Sequence, residues 1–115
     1  MKHEIVILVN SLDQCRYFYR ETLRLGEPSL DSLELCLFDL GDEASLILEE
    51  TAAPYLEHSS TAISWSLETT DFDAICADLE KAGMLTGEEY IRLGKRIRKI
   101  CDPEGNPLLL IDAAQ

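Results

Sequence analysis

An α+β fold made of two tandem copies of one small unit is what this sequence predicts, and three observations carry that reading. β-branched apolar runs alternate with stretches in which apolar residues recur every three to four positions, so strands and helices are both present. Their order repeats at an offset of about 60 residues, with Glu4 falling on Ser64, Ile5 on Trp65, Leu12 on Phe72 and Asp13 on Asp73. A polar break with Pro54 inside it separates the copies. The chain of 115 residues is long enough to fold as one domain without a disulfide framework or a structural metal. It divides into a first module (1–52), a linker (53–61) and a second module (62–115).

The first element is Glu4-Ile5-Val6-Ile7-Leu8-Val9, apolar at nearly every position, which predicts a central strand covered on both faces. Asn10 or Ser11 then offers a side-chain oxygen to cap a helix whose buried stripe is Leu12, Cys15, Phe18, Tyr19 and Leu23, stopped by Gly26. A strand follows from Leu33 to Phe38, and Gly41-Asp42 joins it as a tight hairpin to Ser45-Leu46-Ile47-Leu48. The second module repeats the order. Ile63-Ser64-Trp65-Ser66-Leu67-Glu68 alternates apolar and polar, the pattern of a strand with one packed and one open face. Thr70 and Asp73 resemble a capping box before a helix with Phe72, Ile75, Cys76, Leu79 and Ala82 on its buried side, ending at Gly83. Strands near Lys95–Cys101 and Leu108–Asp112 close the module around the turn Asp102-Pro103-Glu104-Gly105-Asn106.

Composition narrows the partners. With 46% hydrophobic and 28% charged residues, disorder is excluded, and no apolar run approaches the roughly 20 residues that span a bilayer. The formal charge of −12 repels nucleic-acid phosphates and anionic headgroups, so neither nucleic acid nor membrane is an expected partner. Against that acidity, five of the ten cations crowd into Arg92, Lys95, Arg96, Arg98 and Lys99. Cys15, Cys36, Cys76 and Cys101 form no Cys-x-x-Cys pair and sit among apolar neighbours, which predicts reduced core thiols and a cytoplasmic location. Phosphate-loop, nucleophile-elbow and zinc-protease motifs are missing from the sequence.

Two segments carry a resemblance. Val9-Asn10-Ser11-Leu12 followed by Tyr17-Phe18-Tyr19-Arg20-Glu21-Thr22-Leu23, and Asp102-Pro103-Glu104-Gly105-Asn106-Pro107-Leu108, are similar to motifs of the vicinal oxygen chelate superfamily of glyoxalase, bleomycin-resistance, fosfomycin-resistance and extradiol dioxygenase proteins. The resemblance implies two βαβββ-type modules that form a cleft or incomplete barrel with the helices outside. It also implies a divalent ion held by a His or Gln early in each half and a Glu late in each half. Counted from the motifs, those positions fall on Glu4, Ser64, Ile47 and Leu109, with His3 one residue off and on the opposite face. Hydrocarbon at two of four positions predicts no metal and no cofactor.

Alternation places Glu4, Val6 and Leu8 on one face of the first strand, and Ser64, Ser66 and Glu68 on the equivalent face of its repeat. By analogy with the superfamily, Ile97, Lys99 and Leu109 turn the same way. These nine residues are the candidate ligand-binding set, with Lys99 read as the best positioned cation for an anionic group on a ligand or, as the favoured reading, an ion-pair partner of Glu4 or Glu68, and Arg96 and Arg98 as solvated edge residues. The leading reading is a small organic molecule bound without turnover by a homodimer. One rival is a glyoxalase-like lyase or dioxygenase with an atypical metal set of Glu4, Glu49 and His3. Another is a non-catalytic interaction or regulatory module.

Overall fold

The computed structural model describes residues 2–51, 64–85 and 87–113, so the Pro54 linker and Ile63 lie outside the described residues. It divides into two compact units, Met1–Glu57 and His58–Gln115. In the first, strand β1 (His3–Val9) leads into helix α1 (Leu12–Tyr17), which continues as a π-helical turn over Phe18–Thr22. Strands β2 (Leu30–Asp31), β3 (Leu35–Gly41) and β4 (Ala44–Glu50) complete a four-stranded mixed sheet in the order β1-β4-β3-β2, with β1 parallel to β4. The second unit has β5 (Trp65–Thr69), α2 (Phe72–Lys81), β6 (Glu89–Arg92), β7 (Lys95–Cys101) and β8 (Pro107–Asp112), and its sheet order β5-β8-β7-β6 is the same plan with β5 parallel to β8.

The α+β class and the duplication are therefore present, as two open βαβββ units. The offset of the repeat can be read from hydrogen bonds. Thr51 N–H donates to Val9 O at 3.0 Å, and Ala113 N–H donates to Thr69 O at 2.8 Å. Val9 thus matches Thr69 sixty positions on, while Thr51 matches Ala113 sixty-two on, so the second unit carries two more residues between its first and last strands.

Each unit buries the helix-facing side of its sheet. Under α1 lie Val9, Cys36, Phe38, Leu46 and Leu48, each 0% exposed, against Leu12, Cys15, Phe18 and Tyr19 of the helix. Phe18 and Tyr19, adjacent in sequence, are both buried and meet edge to face at 5.2 Å between ring centroids, and the wider π turn accompanies them. Under α2 the core is Ile100, Leu108 and Leu110 with Phe72, Ile75 and Leu79. Each such side chain removed from water contributes about 1.5–3 kcal/mol.

Several local expectations change. β1 is not central: it stands at one end of its sheet order, and its second face is open, with Val6 52% and Leu8 39% exposed. An unbroken apolar run predicts burial on both sides, but here one side faces outward. The strands β2 and β6 escape a pattern search because every residue in them is exposed, so no alternation marks them. Ser11 occupies the N-cap of α1 without a side-chain capping bond, and Cys15 N–H donating to Ser11 O starts the helix through the main chain. Nor does the Thr70–Asp73 capping box form. Helix α2 begins one residue later, with Asp71 at its N-cap, which moves Asp73 from the third to the second helical position.

The helix C-terminus of α2 closes as expected at Gly83 (φ 69°), whose N–H donates to Glu80 O while Met84 N–H donates to Leu79 O, a Schellman pair that requires the left-handed residue. The β3–β4 turn falls on Asp42-Glu43, one residue beyond the expected position, after a bulge at Leu40 where the register shifts between Asp39 and Gly41. Asp42 (φ 48°) and Glu43 (φ 62°) both adopt left-handed backbone, the geometry that matches the twist of a two-residue hairpin.

Candidate functional site

Cross-strand partners share a face, so the ladder registers fix which side chains stand on the open side of each sheet. In the first unit Val6 pairs with Ile47 and Ile47 with Leu37, which in turn pairs with Leu30: one apolar residue from each strand, in a row across the sheet. Leu30 is 53% exposed. Two residues along the strands, Glu4, Ser45 and Asp39 form a polar row, and two residues the other way Leu8, Glu49 and Leu35 form a row with one carboxylate between two leucines. The Glu4 row, with Lys2, Ser29 and Leu37, borders a hollow of about 490 Å³ whose carboxylates outnumber its cations.

In the second unit Ser66, Leu109 and Lys99 make one row, and Glu68, Ile111, Ile97 and Tyr90 the next. Beyond them Arg92 pairs with Lys95 at the hairpin end. This end borders a hollow of about 260 Å³ lined by Glu68, Arg92, Leu93, Lys95, Ile97 and Ile111. Its floor is closed, Ile97 being 1% and Ile111 8% exposed. Lys95 Nζ donates to Glu68 Oε1 at 2.8 Å.

Eight of the nine sequence-derived candidates stand on these open faces, while Ser64 lies just before β5 and outside its ladder. Glu4, Val6, Leu8, Ser64, Ser66, Glu68 and Lys99 are exposed, Leu109 is half-buried and Ile97 is buried. Only Glu4 borders the first hollow, and only Glu68 and Ile97 border the second. The cation that pairs with Glu68 is Lys95 instead of Lys99, because the hairpin turn sets Lys95 across from Arg92 at the Glu68 end of the sheet while Lys99 lies two rows away beside Leu109. Sequence reasoning also missed Arg92, Leu93 and Ile111. The Leu93-Gly94 pair, a two-residue turn with φ 53° and 78°, was the signal that would have set the β6–β7 register.

Arg96 and Arg98 do take the opposite parity, but Arg96 is no free edge residue. Its guanidinium bridges Asp73 of α2 (2.9 Å), Glu89 of β6 (2.9 Å) and Asp112 of β8 (3.5 Å), and its Cζ lies 4.8 Å from the centroid of the Phe72 ring. These hydrogen bonds hold the Asp73 and Glu89 carboxyls below their ordinary range and raise the Arg96 pKa. The first unit has its own clamp. Arg16 of α1 donates to Asp31 of β2 at 2.8 Å, to Asp13 at 2.6 Å and to the Ser32 carbonyl at 2.9 Å. Burial, with Asp31 nearby, pushes the Cys36 thiol up, and burial does the same for Cys76, so both are protonated near neutral pH and poor nucleophiles.

The positions at which the resemblance would place metal ligands can be tested against this geometry. Ile47 and Leu109 offer no lone pair, leaving Glu4 and the Ser64 hydroxyl, one in each unit. The atypical set does not gather either. Glu49 lies across from Leu8, four residues along β1 from Glu4, about 13 Å at strand rise, and His3 points to the other face. Among the described residues no group of three or more His, Cys, Asp or Glu side chains is placed to hold a metal ion. The donor set does not fit a divalent ion.

Solved structures match nearly the whole chain, three of them as follows. A lactoylglutathione lyase from Agrobacterium tumefaciens is 21% identical with a TM-score of 0.70, covering 98% of this chain and 93% of that one. A glyoxalase/bleomycin resistance protein from Catenulispora acidiphila is 18% identical with a TM-score of 0.68 and 99% coverage of both chains. A genomically encoded fosfomycin resistance protein from Listeria monocytogenes is 15% identical with a TM-score of 0.73, covering 99% of this chain and 93% of that one. The chain has the vicinal oxygen chelate fold. At these identities the likeness carries the fold and leaves activity to the residues. No family model and no curated protein matches the sequence. No helix among the described residues is long and apolar enough to cross a membrane.

Proposed function

We propose that this vicinal-oxygen-chelate-fold protein binds a small organic molecule on its open sheet faces, without a metal and without turning it over, as a cytoplasmic homodimer. One observation carries the reading: the open face of the first sheet presents an apolar row, Val6, Ile47, Leu37 and Leu30, where a soluble protein gains nothing by exposing it. An apolar floor with a few charged groups at its margin is the chemistry of an organic-ligand site. At two positions where the resemblance would place metal ligands, Ile47 and Leu109 supply hydrocarbon contact in place of coordination. None of the four cysteines is in a disulfide, in keeping with a reducing compartment.

A thermal-shift screen of divalent metals and of small aromatic, cationic and keto-acid compounds tests this. An organic ligand at 100 times its dissociation constant adds about 2.7 kcal/mol to native stability, and the metals add nothing. Val6→Asp, a change at an exposed position that leaves the helix-facing core intact, abolishes the shift of an organic ligand held on the first sheet. Stoichiometric zinc, nickel, manganese or iron in protein purified without chelator overturns the metal-free reading.

A further inference from the structure

The second unit's hollow suggests what kind of molecule is bound. Arg92 and Lys95 stand directly opposite each other on β6 and β7, on the open face. Directly opposed residues have Cβ atoms about 4.5–5.5 Å apart, and like charges in that relation destabilise a sheet. Lys95 has its counter-charge in Glu68. Arg92 has none: among the described residues no carboxylate lies within ion-pairing distance of it. In a protein with 22 acids and 10 bases, this guanidinium thus meets no acid among the described residues and stands beside a second cation. The surplus positive charge lies at the rim of a hollow whose floor is the hydrocarbon of Ile97 and Ile111.

The hollow also has an apolar lip. Leu93 is 95% exposed and sits at φ 53°, a conformation costly for a branched side chain and one that glycine would take freely. A leucine held there contributes nothing to a core, and it borders the same hollow.

We propose that the open face of the second sheet takes an amphipathic organic anion, its acidic group held by Arg92 with Lys95 alongside and its hydrocarbon resting on Ile97, Ile111 and Leu93. This rests on the organic-ligand reading above and narrows it to a class. The overall charge of −12 disfavours anions at a distance, so selection for one is local: a planar guanidinium that takes a carboxylate in two parallel bonds, over a floor that excludes water.

The test compares phenylacetate with its neutral isostere phenylacetamide and its cationic analogue phenethylamine. Binding is followed in isotope-labelled protein through the Ile97 and Ile111 methyl resonances at low salt. Phenylacetate is expected to bind about tenfold tighter than the amide. Arg92→Gln should bring the two to parity, chiefly by weakening phenylacetate, and an unchanged thermal unfolding midpoint shows separately that the variant is folded. Equal binding of acid and amide, tighter binding of the amine, or a preference that survives Arg92→Gln overturns the anion assignment while leaving the organic-ligand reading standing. If none of the three moves the Ile97 and Ile111 resonances the assignment also fails, and the thermal-shift screen decides the broader reading separately.

Discussion

Asp102 shows how much one side chain in this fold can organise. It is 4% exposed, and its Oδ1 accepts from the Glu104 and Asn106 N–H groups while its Oδ2 accepts from the Asn106 side-chain amide, all at 2.9 Å. Gly105 N–H donates to the Asp102 carbonyl at 3.0 Å, with Pro103 at the second turn position and Gly105 at φ 85°. The carboxylate therefore holds the β7–β8 connection shut and fixes the register that puts Leu109 and Ile111 on the open face. Asp102→Ala is expected to lower unfolding free energy by about 1–3 kcal/mol, and Asp102→Asn, which keeps one acceptor for the two main-chain donors, by less. Urea denaturation of the three proteins checks the ranking. The turn was legible in the sequence because its cues are local. Lys95 was not identified as Glu68's partner because that pairing depends on where a hairpin turns, which a pattern search resolves only to within a residue or two.

At the scale of elements, the two units attach helix to sheet edge with one arginine each, from opposite directions. Arg16 reaches from α1 to β2, and Arg96 from β7 to α2 and β6. Neither clamp could be read in the sequence, since the acids that meet Arg96 lie 23, 7 and 16 residues away and one of them, on β6, belongs to a strand with no alternation. What was legible is what has a short period: the helix stripes and the Ser66–Glu68 face. The clamp in the second unit makes a pH prediction whose sign is fixed. The carboxyls of Asp73 and Glu89 are depressed below their ordinary 3.8 and 4.5, so their contribution to stability is complete above those values and is lost as pH falls through the lower folded-state values. Stability is expected to fall below about pH 4.5, less steeply in Arg96→Gln than in the native chain. Equal slopes in denaturation midpoints between pH 5 and pH 2 would show that the clamp is not linked to folding.

For the whole molecule, charge and exposed apolar surface pull in opposite directions. A formal charge of −12 on 115 residues opposes the close approach of two copies, while Val6, Leu8, Leu30, Tyr90, Ile91 and Leu93 are each 39–95% exposed and reward it. The proposed homodimer thus forms against its own electrostatics. Raising ionic strength from about 0.01 M to 0.15 M shortens the screening length from roughly 30 Å to 8 Å, which removes most of the long-range repulsion and leaves the apolar contact. Light scattering is expected to give twice the chain mass of 12.9 kDa, with the dimer dissociation constant falling as salt is raised. A complex held mainly by ion pairs behaves the other way and weakens with salt. A mass of one chain at every ionic strength and at concentrations up to the millimolar range would sink the dimer, and the apolar row on the first sheet would then have only a ligand to cover it.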